Sequence, residues 1–284
     1  MIGYRPQTIH LENKGLPIKI RLEPLDATLG EVVISGTLKP MTRSESPVPI
    51  EVYSPKFFRA NPTPSLFDGL NIVNGVKPQL NCNVCNTGDI HINGLEGPYT
   101  MVLIDGMPIV SALSTVYGLQ GIPNSLVERM EVVKGPASTL YGSEAVAGLI
   151  NVITKDPRSA PRLSLDLNHT SFGETAADVA GRIDAGKVTG LLAANGFYFQ
   201  RRWDVNSDHF TDVTLQKRAS VFGKITVERP QNRLANLALR YVWEDRFGGE
   251  MQWTPAWYGS DSIYGEAIRT NRAELLGNWQ LPLD

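Results

Sequence analysis

Long segments with alternating side chains fill the second half of the chain, and they restrict its fold more than any other feature. From residue 162 onward, apolar and polar residues alternate with a period of two, which is typical of β-strands that have two unlike faces. In the run 218–228, for example, Val221 and Ile225 share one face while Lys224 belongs to the other. Similar runs cover 162–169, 234–243 and 272–281. We count about six such strands between residues 162 and 283.

Two architectures fit this alternation. The apolar faces end in Trp and Tyr, and short turns such as 229–232 alternate with long polar loops such as 203–212 and 244–262. An outer-membrane β-barrel has these features, because only a closed barrel satisfies the backbone of every strand in lipid. A soluble β-sandwich shows the same alternation, with a second sheet over the apolar faces. Periodicity by itself leaves both architectures open.

Composition excludes several classes of protein. The chain has 284 residues, 42% hydrophobic and 20% charged, with a formal net charge of -2. It is therefore not a disordered tail, and the small net charge gives no general reason to expect a nucleic-acid partner. No apolar run reaches the roughly 18 residues of a transmembrane helix. The first residues lack the basic and apolar regions of a secretory signal, which taken alone favours a cytosolic protein.

The first half of the chain has a different texture. Residues 1–30 alternate like one or two edge strands, and residues 31–50 pass into a Pro/Ser/Thr stretch typical of a linker. Helices are predicted after Ser54 and near 64–71. Short strands, each stopped by Gly, Asn or Asp, are predicted at 89–94, 100–106, 127–135 and 148–155. This pattern indicates a small α+β domain over 51–156.

No enzymatic constellation stands out. The segment KGPASTLYG (134–142) lacks the Lys that a phosphate-binding loop requires after its second Gly, and no G-x-G-x-x-G motif occurs. The four histidines have no ligand spacing, so we expect no metal site, no cofactor and no enzyme activity. Asp105 and Glu131 are expected to be members of structural ion pairs rather than acid or base catalysts.

The segments IHINGLEGPYTMVLIDGMPI (90–109) and GLQGIPNSLVERMEVVKGPASTLYGSEAVAGLINVITK (118–155) closely resemble the plug domain of TonB-dependent outer-membrane receptors. The resemblance implies an α+β plug domain at 51–156, followed at 157–284 by the first six or so strands of an antiparallel transmembrane β-barrel of about 22 strands. Residues 1–30 resemble the end of the small β-sandwich that precedes the plug in Bacteroidetes-type receptors. We expect the chain to be the N-terminal part of a longer receptor, truncated on both sides.

The same resemblance implies a function. Such receptors lie in the outer membrane of Gram-negative cells, with the plug facing the periplasm and the barrel lumen, and take up scarce solutes actively without converting them. We expect a ferric siderophore or another metal complex as the solute. Cobalamin and oligosaccharide receptors of the same family are alternatives, and a soluble β-rich binding protein is the alternative of a different class. Membrane lipid and a TonB-type inner-membrane energy-coupling protein are the implied partners, with no nucleic acid.

The energy-coupling partner implies a binding segment before the plug. EVVISG at 31–36 resembles a TonB box, a short extended segment that pairs with the partner by β-strand addition, in which main-chain hydrogen bonds give the affinity. An ordinary short strand is the alternative. The expected box residues are Glu31, Val32, Val33, Ile34, Ser35 and Gly36.

Three loops are expected to contact the solute by analogy with the family: Gln79 to Asp89, Ile109 to Gly118, and 245–262. In the alternative interpretation the loop aromatics only pack the loop. The expected contact residues are Asn81, Asn83, Asn86, Ser111, Tyr117, Arg246, Trp253 and Trp257.

Cys82 and Cys85 are the only cysteines, in the sequence NCNVCN. A C-x-x-C pair is compatible with a redox motif, half of a zinc site or a local disulfide. There is no second cysteine pair to complete a zinc site, and a redox motif belongs between a strand and a helix, so a small disulfide loop in an oxidising periplasm is the prediction. A metal or substrate contact at this loop is the alternative.

Overall fold

The computed structural model describes residues 32–36, 41–82, 87–109, 119–230, 233 and 235–281. The described residues up to 156 form an N-terminal domain built on a mixed β-sheet, and the described residues from 163 form a six-stranded antiparallel sheet against which this domain lies. Glu31, Asn83, Cys85, Asn86, Ser111 and Tyr117, all named above, lie outside the described residues.

The N-terminal domain contains nine of the described strands. They are β1 (Val32–Val33), β2 (Met41–Thr42), β3 (Ile50–Tyr53), β4 (Val76–Cys82), β5 (Thr87–Ile92), β6 (Thr100–Ile104), β7 (Met107–Pro108), β8 (Val127–Lys134) and β9 (Gly148–Thr154). Five of them form a sheet in the order β3-β8-β9-β6-β7, in which β6 and β9 are parallel and the other neighbours antiparallel. The strands predicted at 89–94, 100–106, 127–135 and 148–155 are thus confirmed as β5, β6, β8 and β9.

Both faces of this sheet are buried, which explains the nearly continuous apolar runs TMVLI and GLINVIT. One face, which includes Ile150 and Val152, packs against Leu70 of the helical segment and Ile92 of the β4–β5 hairpin. The opposite face, which includes Ile50, Leu103 and Leu149, packs against Val33, with Met41 and Val48 beside it. The stretch that precedes the sheet therefore covers one of its faces.

Short helices complete the domain: α1 (Pro55–Ala60), α2 (Leu66–Gly69) and α3 (Ser138–Tyr141). Pro55 occupies the first turn of α1, where its missing N–H costs nothing. Ser65 caps α2, because its hydroxyl accepts a hydrogen bond from the Asp68 N–H at 3.2 Å. Both helices predicted after Ser54 and near 64–71 are present.

The six-stranded sheet follows the chain order without crossovers. Its strands are β10 (Leu163–His169), β11 (Thr175–Ala185), β12 (Val188–Phe199), β13 (Leu215–Val227), β14 (Ala235–Gly249) and β15 (Gly265–Trp279). The number of strands and the alternation predicted from the sequence are confirmed within the described residues. Short turns join β11 to β12 and β13 to β14 at one end, while longer loops join β12 to β13 and β14 to β15 at the other.

The two faces of the sheet differ in chemistry. Apolar residues such as Leu163, Leu239 and Leu275 point away from the N-terminal domain and are 71%, 57% and 69% exposed. Registered neighbours on this face are apolar too, for example Val221 opposite Tyr241. The inner face carries buried polar residues and lies over the N-terminal domain. No described helix has the length and apolarity needed to span a membrane.

Candidate functional site: the docked segment and the domain interface

Residues 32–36, here called the coupling segment, correspond to the described part of the predicted box. Val32 and Val33 pair antiparallel with Thr42 and Met41, so the stretch expected to be an extended linker folds back on itself. Val33 and Ser35 are 0% and 1% exposed. The coupling segment is therefore docked on the N-terminal domain.

A buried carboxylate holds the coupling segment in place. Glu131, on β8, is fully buried, and its Oε2 accepts hydrogen bonds from the Ile34 N–H (3.0 Å), the Ser35 N–H (2.9 Å) and the Ser35 hydroxyl (2.6 Å). Its Oε1 accepts from Arg129 Nε at 2.8 Å. The expectation that Glu131 is a structural ion-pair member is confirmed. Hydrogen bonds to a charged group are stronger than neutral ones, so this contact is well suited to hold a short segment.

Two further side chains contact Ser35. The Asn151 side-chain amide, on β9, donates to the Ser35 hydroxyl at 3.0 Å, and the Tyr141 hydroxyl donates to the Ser35 carbonyl at 3.2 Å. Burial and the nearby charge of Glu131 raise the pKa of Tyr141 to about 12. The Tyr141 hydroxyl is therefore protonated at neutral pH and remains a donor.

The interface between the N-terminal domain and the sheet is mainly polar. The Lys224 ammonium, on β13, donates to Asp105 Oδ2 and to the Thr154 hydroxyl, both at 2.8 Å. Asp105 is thus an ion-pair member, as the sequence predicts. The Ser220 hydroxyl, on the same strand, donates to the Gly121 carbonyl at 2.6 Å. These contacts fasten two loops of the N-terminal domain to a single strand.

Buried charges continue this interface along β13 and β14. Arg240 Nη2 donates to the Gln120 carbonyl at 2.5 Å, and Arg246 Nη2 donates to the Gln120 side-chain oxygen. Arg246 also pairs with Glu244 at 2.7 Å, and Glu244 lies 3.6 Å from Arg218. Such buried ions persist only where partners compensate for their desolvation, and here the partners come from both sides of the interface.

Arg246 lies on a strand and not in the loop where the sequence predicts it. The sequence puts it in the loop 245–262, but β14 continues to Gly249 and Arg246 is 1% exposed against Gln120. The strand is longer than the apolar pattern because its inward side chains find ionic partners instead of an apolar core. Arg246 therefore serves the interface, and its contact with the solute stays a prediction.

Three other predicted contact residues, Asn81, Trp253 and Trp257, are described, and they lie at the end of the sheet that carries the long loops. Trp253 stacks on Phe247 with ring centroids 3.9 Å apart, and Trp257 is 40% exposed in the same loop. Cys82 follows Asn81 and is the last residue of β4. Its sulfur lies 3.9 Å from a carboxylate oxygen of Glu266 at the start of β15. The end of β4 and the start of β15 thus lie close together.

Cys82 is disulfide-bonded, as predicted, while the expected partner Cys85 lies outside the described residues. Among the residues that the structure describes, no group of three or more His, Cys, Asp or Glu side chains is arranged to hold a metal ion.

Sequence reasoning missed Lys224, Asn151 and Tyr141 as contact residues. Lys224 offered one signal, since it is a cation on the polar face of an otherwise regular strand. Asn151 and Tyr141 belong to the segment 118–155 that resembles the plug domain, but no sequence pattern indicates that both contact Ser35, more than a hundred residues earlier.

Comparison with known proteins agrees with this architecture. Residues 42–149 match the family model described as the TonB-dependent receptor plug domain. The ferric enterobactin receptor PirA of Pseudomonas aeruginosa is 32% identical over 218 residues, which are 69% of this chain and 29% of the relative. The vitamin B12 transporter BtuB of Vibrio vulnificus is 31% identical over 141 residues, or 50% of this chain and 23% of the relative. The chain thus spans less than a third of the length of these relatives.

Among solved structures, the pyoverdine outer membrane receptor FpvA of Pseudomonas aeruginosa superposes with a TM-score of 0.59 at 16% identity, covering 78% of this chain and 31% of the receptor. At this identity the similarity concerns the fold alone. Plug domain and following antiparallel strands together define the class. The chain belongs to the TonB-dependent receptors, and its N-terminal domain is called the plug from here on.

Proposed function

We propose that the chain is part of an outer-membrane receptor that takes up a ferric siderophore by TonB-dependent active transport. One observation carries the proposal: a plug with a docked coupling segment lies against the polar face of a sheet whose other face is apolar and exposed. The names of the relatives PirA and FpvA, which refer to ferric enterobactin and pyoverdine, support a siderophore as the solute. In this role the chain binds and moves its solute without converting it.

The exposed apolar face supports a lipid environment. A soluble protein rarely exposes a contiguous apolar patch of more than a few hundred Å², yet leucines on β10, β14 and β15 are more than half exposed. Trp243 and Trp279 stand near opposite ends of this face, where aromatic residues border a membrane. Cell fractionation of the full-length receptor tests this point. We expect recovery with outer membranes, whereas recovery in the soluble periplasm without detergent would favour the β-rich binding protein.

The coupling segment, with Glu31, is the proposed binding site of a TonB-type partner. Strand addition requires a backbone that presents its N–H and C=O groups to another strand. In the docked state Val33 pairs with Met41, and Ser35 is held by Glu131. The partner therefore acts on a released segment, and a force on that segment is applied directly to the plug.

The proposal is tested by transport of a ⁵⁵Fe-loaded siderophore into cells that carry the full-length receptor as their only receptor of this class. We expect uptake that stops when the proton gradient is dissipated. Val33→Pro removes a backbone donor and fixes the backbone angle, so it should abolish uptake while surface binding persists. Val33→Thr keeps the donor and the shape and serves as the control. Undiminished uptake by Val33→Pro would exclude the coupling role.

Cobalamin is a second candidate because a relative is named as a vitamin B12 transporter. The same cells should be assayed with radiolabelled cobalamin. Uptake of cobalamin without uptake of any ferric siderophore would replace the first candidate.

We also propose that Asn81, Trp253 and Trp257, together with Asn83, Asn86, Ser111 and Tyr117, contact the solute, since the described members lie at the long-loop end.

A further inference from the structure

A chain of buried hydrogen bonds leads from the coupling segment to the barrel strand β13. It begins at Ser35, whose hydroxyl donates to Glu131 and accepts from the Asn151 side-chain amide. The other end of the same amide, Asn151 Oδ1, accepts from the Gly106 N–H at 3.0 Å. Asn151 therefore contacts the coupling segment and the β6–β7 turn with the two ends of one rigid group.

The turn is the next step. Asp105 and Gly106 both have positive φ angles, 51° and 80°, as a tight two-residue hairpin turn requires. The Asp105 carboxylate accepts from the Thr154 N–H at 2.8 Å, from the Thr154 hydroxyl at 2.7 Å and from Lys224 at 2.8 Å. The turn whose backbone Asn151 holds thus presents the carboxylate that binds the plug to β13.

Open space borders this turn. A side chain added at Gly106 would meet nothing within 4 Å. A cavity of about 350 Å³ borders the turn and is lined by Ile34 of the coupling segment and by Lys224, among others. By contrast, Asn151 and Glu131 are 0% exposed and lie opposite each other in the sheet. Asn151 and Glu131 are thus enclosed in the sheet, whereas the turn that Asn151 holds borders open space.

We propose that Asn151 is a positioning residue that couples the docked coupling segment to the Asp105–Lys224 ion pair, so that release of the segment loosens the plug from β13. The inference rests on the proposed transport function and adds to it a route by which tension on the segment reaches the barrel wall. The segments 90–109 and 118–155, on which the resemblance to the plug domain rests, then contribute Asp105 and Asn151 to the linkage.

Thermodynamic linkage makes the proposal testable in reverse. If release of the segment weakens the ion pair, loss of the ion pair must favour release to the same extent. The probe is a maleimide that labels Ile34→Cys in the full-length receptor purified in detergent. Ile34 is partly buried while docked, and the disulfide-bonded Cys82 does not react. We expect Lys224→Met to speed the labelling roughly tenfold, the effect of about 1.4 kcal/mol.

Two comparisons identify Asn151 as the link. Lys217→Met, on the outer face of the same strand, is the matched control and should leave the labelling rate unchanged. In an Asn151→Ala background, Lys224→Met should change the rate by less than about twofold. Asn151→Asp keeps the acceptor for the Gly106 N–H but removes the donor to Ser35, and it should uncouple in the same way. A full effect of Lys224→Met in either background would overturn the proposal.

A second measurement does not depend on labelling. Ser35→Ala should speed amide hydrogen exchange in residues 105–109 and 150–155, and Asn151→Asp should remove this effect. Unchanged exchange in Ser35→Ala would contradict the linkage. Transport by the unmodified receptor is measured in parallel. Absent transport would remove the proposed function while the labelling still reports the linkage, and normal transport without any Lys224→Met effect would remove the linkage alone.

Discussion

The plug sheet and the plug–barrel interface are both buried, yet they are built from opposite kinds of side chain. The faces of the plug sheet are largely apolar, with Ile150, Val152 and Leu149 each 0% exposed. The interface instead carries Lys224, Arg240 and Glu244, each less than 9% exposed. The difference indicates which of two boundaries opens more easily. One lies between the plug and the six-stranded sheet, and the other lies between the plug sheet and the layers that cover it.

Opening these two boundaries costs different amounts of free energy. Exposing apolar surface costs about 25 cal/mol per Å² with nothing to replace the lost contacts. Hydrogen bonds are exchanged for bonds to water when a polar interface opens, so each is worth about 0.5–1.5 kcal/mol net, or about 1.5–3 kcal/mol where a charged group takes part. The interface also contains an apolar cluster that joins Leu126 of the plug to Leu191 and Phe222 of the sheet, and this cluster is smaller than the main apolar cluster of the plug. We therefore expect the plug to separate from the six-stranded sheet while its own sheet stays folded.

The largest expected effect comes from the plug core. Ile150→Ala should destabilise the plug by about 2–5 kcal/mol, because Ile150 is fully buried among apolar side chains and its loss leaves a cavity. The measurement is amide hydrogen exchange of β9 in the full-length receptor in detergent. Leu275→Ala is the control, since Leu275 is 69% exposed on the outer face. Equal protection in Ile150→Ala and the unmodified receptor would mean that the sheet does not hold the plug together.

A smaller effect is expected at the interface. Ser220→Ala removes the donor to the buried Gly121 carbonyl without changing the size of the side chain much. The unsatisfied carbonyl should cost about 1–3 kcal/mol. Faster hydrogen exchange is expected in residues 119–126 but not in β9, because the interface opens without unfolding the sheet. Ser171→Ala, in an exposed turn, is the control. Loosening of β9 to the same degree would show that the two boundaries open together.

The two regions also differ in how well the sequence predicts them. Four strands of the plug and the six strands that follow were predictable because burial on one face or two imposes a period or a continuous apolar run. The end of β14 was not predictable in this way. Glu244, Asp245 and Arg246 follow Trp243 and look like the start of a polar loop, yet β14 continues for several residues.

The partners of the polar residues were the least predictable part. A charge on a strand indicates that it needs a partner, but it does not say which residue supplies it. Lys224 finds Asp105 at a separation of 119 residues, and Ser35 finds Asn151 at 116. Only the three-dimensional arrangement makes these contacts local. The segments that resemble the plug domain contain Asp105 and Asn151. The structure adds that Asn151 holds the coupling segment and that Asp105 binds the barrel strand β13.

The smallest expected effect concerns pH at the edge between the two regions. Burial raises the pKa of Asp68 above its usual 3.8, while the Ser65 hydroxyl and the charge of Arg218 on β13 offset part of this shift. A carboxyl whose pKa is higher in the folded state favours folding in its protonated form. Its contribution is therefore fully present below the unfolded pKa and declines as pH rises through the folded one.

Asp68→Asn removes this titration and keeps an acceptor for Ser65, which donates to Asp68 at 2.6 Å. We expect the unmodified receptor to lose plug stability relative to the variant as pH rises from below 3.8, and the difference to level off above the raised pKa. Hydrogen exchange of residues 65–73, compared between the two proteins at matched pH, measures it. The opposite slope would mean that attraction to Arg218 outweighs burial. The boundary would then be held by charge pairing even at the edge of the apolar core.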